Sequence, residues 1–117
     1  MNLKEVLEQK NFAVVGDTLD EDKYAHKIKR KLLKKDYTVF PVGKELKSLN
    51  DIEGDIDIID LCISPLYGLP LLKECTKPYK AVVVEPGAAN DELLAYLNEN
   101  QIEYMESSIL VALKQYT

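Results

Sequence analysis

Few residues in this chain of 117 are placed to do chemistry. Gly16 closes an apolar run and opens a polar loop, Asp17-Thr18-Leu19-Asp20-Glu21-Asp22-Lys23-Tyr24. A residue without Cβ lets phosphate oxygens approach the backbone, and N–H groups at the start of a following helix can bind them. Four carboxylates of the loop, Asp17, Asp20, Glu21 and Asp22, compete for the same N–H groups, with Lys23 as the counterweight. The run is not G-x-G-x-x-G, and taken alone it suits an ordinary loop as well as a phosphate loop. A second cation, Lys44, ends Pro41-Val42-Gly43-Lys44. An NAD site would favour a carboxylate there for the ribose hydroxyls, so a lysine suits a ribose carrying an extra phosphate better, although surface lysines are common.

The means for bond-breaking chemistry are thinner. Glu85, in Glu85-Pro86-Gly87, could serve as a general base with Asp17 as partner, because like charges raise a carboxylate pKa. The plainer reading of Glu85, a loop residue holding backbone N–H groups, is the stronger one. Cys62 and Cys75 stand with one histidine, His26, far short of a zinc set, and no metal is expected. Cys62 reads as a small core hydrophobe and Cys75 as a helix end, while His26 falls in a charged helix and is expected to be exposed. A phosphoacceptor would need an aspartate at the carboxyl end of the third strand, where Ser64 stands and Asp60 lies several residues earlier. No catalytic residue is therefore assigned, and binding without catalysis is the expected role.

The elements that would position these groups follow from apolar periodicity. Leu3, Val6 and Leu7 mark a short opening helix, and Phe12-Ala13-Val14-Val15 is a uniformly apolar strand suited to a sheet covered on both sides. Tyr24, Ile28, Leu32 and Leu33 mark a helix to about Lys35, and Tyr37 to Val42 is a second strand. A loop or short helical turn is expected between Lys44 and Asp55. The third strand spans Ile56 to Ile63, with its solid core from about Ile58, and Leu66 to Cys75 is a helix whose first turn Pro70 could disturb. Ala81 to Val84 is the fourth strand, Asn90 caps the next helix, Ile102 to Met105 is a short last strand, and Ser107 or Ser108 starts a closing helix.

Alternating strands and helices with long connections predict one α/β domain, a Rossmann-like three-layer sandwich with a five-stranded parallel sheet in the order 3-2-1-4-5. A ligand crevice then falls between strands one and four, where Gly16-Asp17-Thr18, Ser64-Pro65-Leu66 and Glu85-Pro86-Gly87 converge and Val42-Gly43-Lys44 forms a wall. A domain of this length buries roughly two-thirds of its unfolded surface, so no disulfide or structural metal is needed. The acidic balance, a net charge of −5, argues against nucleic acid as the main partner, and the basic run Lys27 to Lys35 reads as a solvated helix face. The opening residues carry acidic side chains and no long apolar stretch, and no window resembles a membrane span, so a cytoplasmic protein is expected.

These residues resemble a known family, the small CoA-binding-like Rossmann domains related to the nucleotide-binding domain of succinyl-CoA synthetase α subunits. The resemblance runs from Phe12-Ala13-Val14-Val15-Gly16 and Lys23-Tyr24-Ala25, through Tyr37 to Val42 and Ile58-Ile59-Asp60-Leu61, to Val83-Val84-Glu85-Pro86-Gly87-Ala88. In that family a small residue and serine follow the first glycine, and the second strand typically ends Val-Asn-Pro; here Asp17-Thr18 and Val42-Gly43-Lys44 hold those places. The resemblance implies that CoA or a related adenine nucleotide is bound. Gly16, Thr18, Lys23 and Tyr24 would contact its diphosphate or adenosine, and Pro41 to Lys44 would border the adenosine. Set beside a small phosphate-bearing ligand is a reading as a ligand-free interaction module, because Tyr67, Leu69, Leu71 and Leu72 supply more apolar surface than one covered helix face needs and could form a homodimer surface.

Overall fold

A computed structural model describes residues 1–116. Five parallel strands, β1 (Asn11–Gly16), β2 (Thr38–Gly43), β3 (Ile58–Cys62), β4 (Ala81–Val84) and β5 (Tyr104–Glu106), form one sheet. The helices are α1 (Leu3–Leu7), α2 (Tyr24–Lys34), α3 (Pro65–Glu74), α4 (Asp91–Glu99) and α5 (Ile109–Tyr116), with a 3₁₀ turn at Leu49–Asp51. Alternation along each buried strand divides the core in two. Ala13, Val15, Ile59, Leu61, Val82 and Val84 pack under α3 and α4, whereas Phe12, Val14, Ile58, Ala81 and Val83 pack under α1, α2 and α5. The three-layer α/β arrangement is as the alternation predicts. Among the described residues no helix is long and apolar enough to cross a membrane.

The expected strand order is corrected. The sheet runs β2-β1-β3-β4-β5, so β3 lies beside β1 and not at the edge beyond β2. Two physical facts select this order. All but the last residue of β3 are fully buried, which suits an interior strand, whereas β2 is only partly covered. Pro41 lies within β2, and a strand containing proline belongs at an edge, where its missing donor costs no ladder bond. The outward side of β2 is occupied locally, since Leu46 N–H donates to the Pro41 carbonyl and Gly43 N–H donates to the Leu46 carbonyl.

Local signals set the boundaries. Asn2 and Glu5 form a reciprocal capping box on α1, and the Asn90 side chain accepts from Leu93 N–H to start α4. Pro70 does not break α3, which runs through it. At the amino-terminal edge of the sheet, Asp57 Oδ2 accepts from the N–H groups of Lys10 and Asn11, while Oδ1 pairs with Lys80 Nζ at 3.3 Å. Asp57 thus ties together the starts of three strands. Its own burial opposes ionisation, but the two N–H donors and Lys80 outweigh it and hold the carboxyl below its ordinary range. Asp57→Ala is expected to lower unfolding free energy by about 1 kcal/mol, as lost charge-assisted hydrogen bonds do, measured by urea denaturation at pH 7. An unchanged midpoint would show the clamp to be idle.

Candidate functional site

With β1 and β3 adjacent, the chain reverses direction across the sheet between them, and the crevice at the carboxyl edge falls there. The expected position between strands one and four is corrected accordingly. Two hollows meet at this point and share Asp17, Ile63 and Ser64. The larger, about 690 Å³, has Gly16, Gly43, Lys44 and Lys47 on one side and Leu66, Tyr67, Pro70 and Leu71 on the other. The smaller, about 340 Å³, is bordered by Lys23, Tyr24, Ala25, Cys62, Pro86 and Gly87. Together they form a trough whose size is within the range of small-molecule sites.

Close chain packing shapes its floor. A Cβ at Gly16 would lie 2.4 Å from the Cys62 carbonyl oxygen and 2.8 Å from Ala25 Cβ, and a Cβ at Gly43 would lie 2.7 Å from the Gly16 carbonyl oxygen. Gly43 also has φ +124°, a conformation that other residues rarely adopt. Gly16 is thus required by the approach of β3 and α2 to β1, before any ligand is considered.

The loop after β1 is fastened from inside. Thr18 is fully buried, and its hydroxyl donates to Glu45 Oε2 at 2.6 Å. Lys29 Nζ donates to the same oxygen at 2.8 Å, and His26 Nδ1 lies 2.8 Å from the Thr18 carbonyl oxygen. Lys29 first and Thr18 second hold the Glu45 carboxyl below its usual range. Asp17 Oδ1 accepts from Leu19 and Asp20 N–H, and Asp20 Oδ1 accepts from Asp22 N–H. Asp17 and Asp20 therefore serve the loop's own amides, and no side chain caps the start of α2. That helix begins after Lys23 with no side-chain cap, so its first N–H groups face the crevice mouth without intrahelical partners. Tyr24 does not plug the mouth: it is 68% exposed and lies under Lys27 Nζ, 5.6 Å from its ring centroid.

The residues singled out in the sequence divide between the crevice and the core. Gly16, Asp17, Lys23, Tyr24, Gly43, Lys44, Ser64 and Gly87 border the trough. Ser64 also caps α3, accepting from Leu66 N–H, and keeps its own O–H as a donor. Thr18 and Val42 are buried side chains, and Pro65 faces a separate small hollow between α3 and α4. Glu85 is turned inward, where Oε2 accepts from Ile109 N–H at 3.1 Å at the start of α5. His26 is partly buried, with Nε2 enclosed and unpartnered, and not exposed as its charged helix suggests.

Sequence reasoning missed two features. Glu45, next to Lys44, fastens the loop, yet nothing in a single strand–loop–helix pattern marks an acceptor 27 residues from Thr18. Asp60 is completely buried in β3, in register with Val14 and Val83 on the face covered by α2 and α5. Burial first, and then Glu85, push its carboxyl well above the ordinary range. Burial likewise raises Glu85, against the pull of Asp60 and of Ile109 N–H. Neither Asp60 oxygen has a hydrogen-bond donor, a lack that one proton shared between the two carboxyls would make good. Cys62, two residues on, is pushed up to about 12 by burial and then by the charges of Asp60 and Glu85, so its thiol stays protonated.

A family model described as a CoA binding domain matches residues 10–114. No curated protein matches the sequence. Among solved structures, a conserved hypothetical protein from Pyrococcus furiosus is 28% identical over 82% of this chain and 91% of its own, with a TM-score of 0.74. A Thermus thermophilus protein described as cell-free ID.343 is 24% identical over the whole of both chains, with a TM-score of 0.82. A hypothetical protein from Pyrococcus horikoshii OT3 is 21% identical over 97% of this chain and 89% of its own, with a TM-score of 0.88. The last two show the fold alone.

Proposed function

The chain belongs to the CoA binding domain family, and from that membership we propose that its crevice holds CoA, or a related adenine nucleotide, without transforming it. The observation that carries this reading is the uncapped start of α2 opening beside Gly16 and Asp17, with Lys23 on one flank and Lys44 and Lys47 on the other. Helix N–H groups and lysines together suit a diphosphate. The apolar wall of Leu66, Tyr67, Pro70 and Leu71 suits the adenine, and Lys44 and Lys47 beside it suit a phosphate on the ribose. The extended remainder of CoA would follow the smaller hollow past Tyr24 and Gly87. Binding is favoured over chemistry because the groups nearest that hollow are engaged or quiet: Glu85 holds α5, and the Cys62 thiol is protonated. The same reasoning leaves the protein a carrier or sensor of its ligand.

Calorimetric titration tests the proposal with CoA, dephospho-CoA, ADP and NAD. CoA is expected to bind about 10-fold more tightly than dephospho-CoA, the effect of one charge-assisted contact, and Lys44→Ala with Lys47→Ala should remove most of that difference. No heat and no thermal stabilisation with any of the four at millimolar concentration would overturn it. That result would favour an interaction module instead, a reading supported by the exposure of Leu66 (75%) and Tyr67 (65%) at the mouth.

A further inference from the structure

The buried carboxylates Asp60 and Glu85 are unused by the proposed binding, yet they sit directly behind its smaller hollow. Asp60 precedes Cys62 by two residues on β3, and Glu85 precedes Pro86 and Gly87; Cys62, Pro86 and Gly87 all border that hollow. The other groups packed on this face are apolar: Val14 from β1, Val83 from β4, Ala25 and Ile28 from α2, and Ile109 and Ala112 from α5. Among the described residues, the titratable groups that act on Asp60, Glu85 and Cys62 are these three themselves. A charge gained or lost by the pair therefore meets no neighbouring countercharge.

We propose that the Asp60–Glu85 pair couples ligand binding to a proton, so that the crevice binds its anionic ligand better when the pair holds a proton than when it has lost it. Two physical routes lead there. Loss of the proton adds one negative charge behind a hollow meant for a phosphate-bearing ligand, in surroundings where charge is poorly screened. It also leaves two like charges, so Asp60 and Glu85 repel, and Glu85 both leads directly into the Pro86–Gly87 wall and accepts from the first N–H of α5. Cys62, which borders the hollow, lies two residues beyond Asp60 on the same strand face, close enough that the carboxylates add to the effect of burial on its thiol. By linkage, a ligand favoured by the protonated pair must draw protons from solution as it binds.

This inference rests on the binding reading, and the experiment keeps the two apart. The full chain is titrated with CoA between pH 6 and pH 8 in two buffers of different ionisation enthalpy, alongside Asp60→Asn and, as a second variant, Glu85→Gln. The wild type should lose affinity several-fold as pH rises and take up a fraction of a proton on binding. Either variant should lose most of both effects, and the comparison with wild type cancels the titration of CoA itself. Equal slopes and equal proton uptake in wild type and both variants would overturn the coupling while leaving the binding reading standing. Absence of CoA binding at every pH would overturn both, and the stability profile of Asp60→Asn would then still report whether the pair holds a proton.

Discussion

Gly16→Ala is expected to lower the unfolding free energy by about 3 kcal/mol, at the upper end of what overpacking a filled site costs, and to abolish ligand binding at accessible concentrations. The alanine methyl would meet the Cys62 carbonyl oxygen at 2.4 Å and Ala25 Cβ at 2.8 Å. Neither obstacle is the free end of a flexible side chain. One is backbone in an interior strand, and the other belongs to the first turn of α2, so relief means displacing β3 or the helix. Displacing α2 moves the N–H groups proposed to face the diphosphate. Denaturant unfolding gives the stability change and calorimetry with CoA gives the binding change. Native-like stability in this variant would mean that the packing at the β1–β3 junction is much looser than described.

The second large effect has the opposite sign. Asp60→Asn is expected to stabilise the protein at pH 8 by about 2 kcal/mol, the order found when buried ionic groups are replaced by neutral ones. Burial and then Glu85 raise the folded pKa of Asp60 above its ordinary value of 3.8, so the folded chain holds the proton more tightly than the unfolded chain. That contribution is fully present below the unfolded pKa, shrinks as pH climbs above it, and is lost as pH passes through the folded pKa. Glu85, also raised, acts in the same direction. Asp57 and Glu45 are lowered and act in the opposite sense, losing their contribution as the solution becomes acid. Wild-type stability should therefore decline as pH rises above the ordinary carboxylate range, and the asparagine variant, left with Glu85 alone, should decline less. Parallel profiles for the two proteins from pH 5 to pH 8 would refute the buried pair as the source.

Much of the architecture was legible in the chain because its strands are pure cases. Phe12 to Val15 and Ala81 to Val84 are apolar throughout, and only a doubly covered sheet buries such runs. Strand order was the failure, although the clue lay in plain view. Pro41 marks an edge strand, while Ile58 to Leu61 has the character of an interior one. Weighing those two signals against the commoner topology would have given the observed order, and with it the correct junction for the crevice.

The site was only half readable. Gly16 and Lys44 announce themselves by type and by position after a strand. The division of loop residues into those that face ligand and those that face inward is set by partners remote in sequence. Thr18 is drawn inside by Glu45, and Glu85 by the start of α5, and no local pattern encodes either choice. The pairing of Asp60 went unread for a related reason: its carboxyl partner, Glu85, is contributed by the end of the neighbouring strand, 25 residues on.

Pro41 also governs what this molecule does in a crowd. Backbone groups alternate in direction along a strand, so on the outer side of β2 the groups of Val39, Pro41 and Gly43 point away from β1. Pro41 has no donor, its carbonyl is taken by Leu46 N–H, and Gly43 N–H is spent on the Leu46 carbonyl. A foreign extended segment finds little beyond the Val39 pair to grip, too little to template fibre growth from that rim.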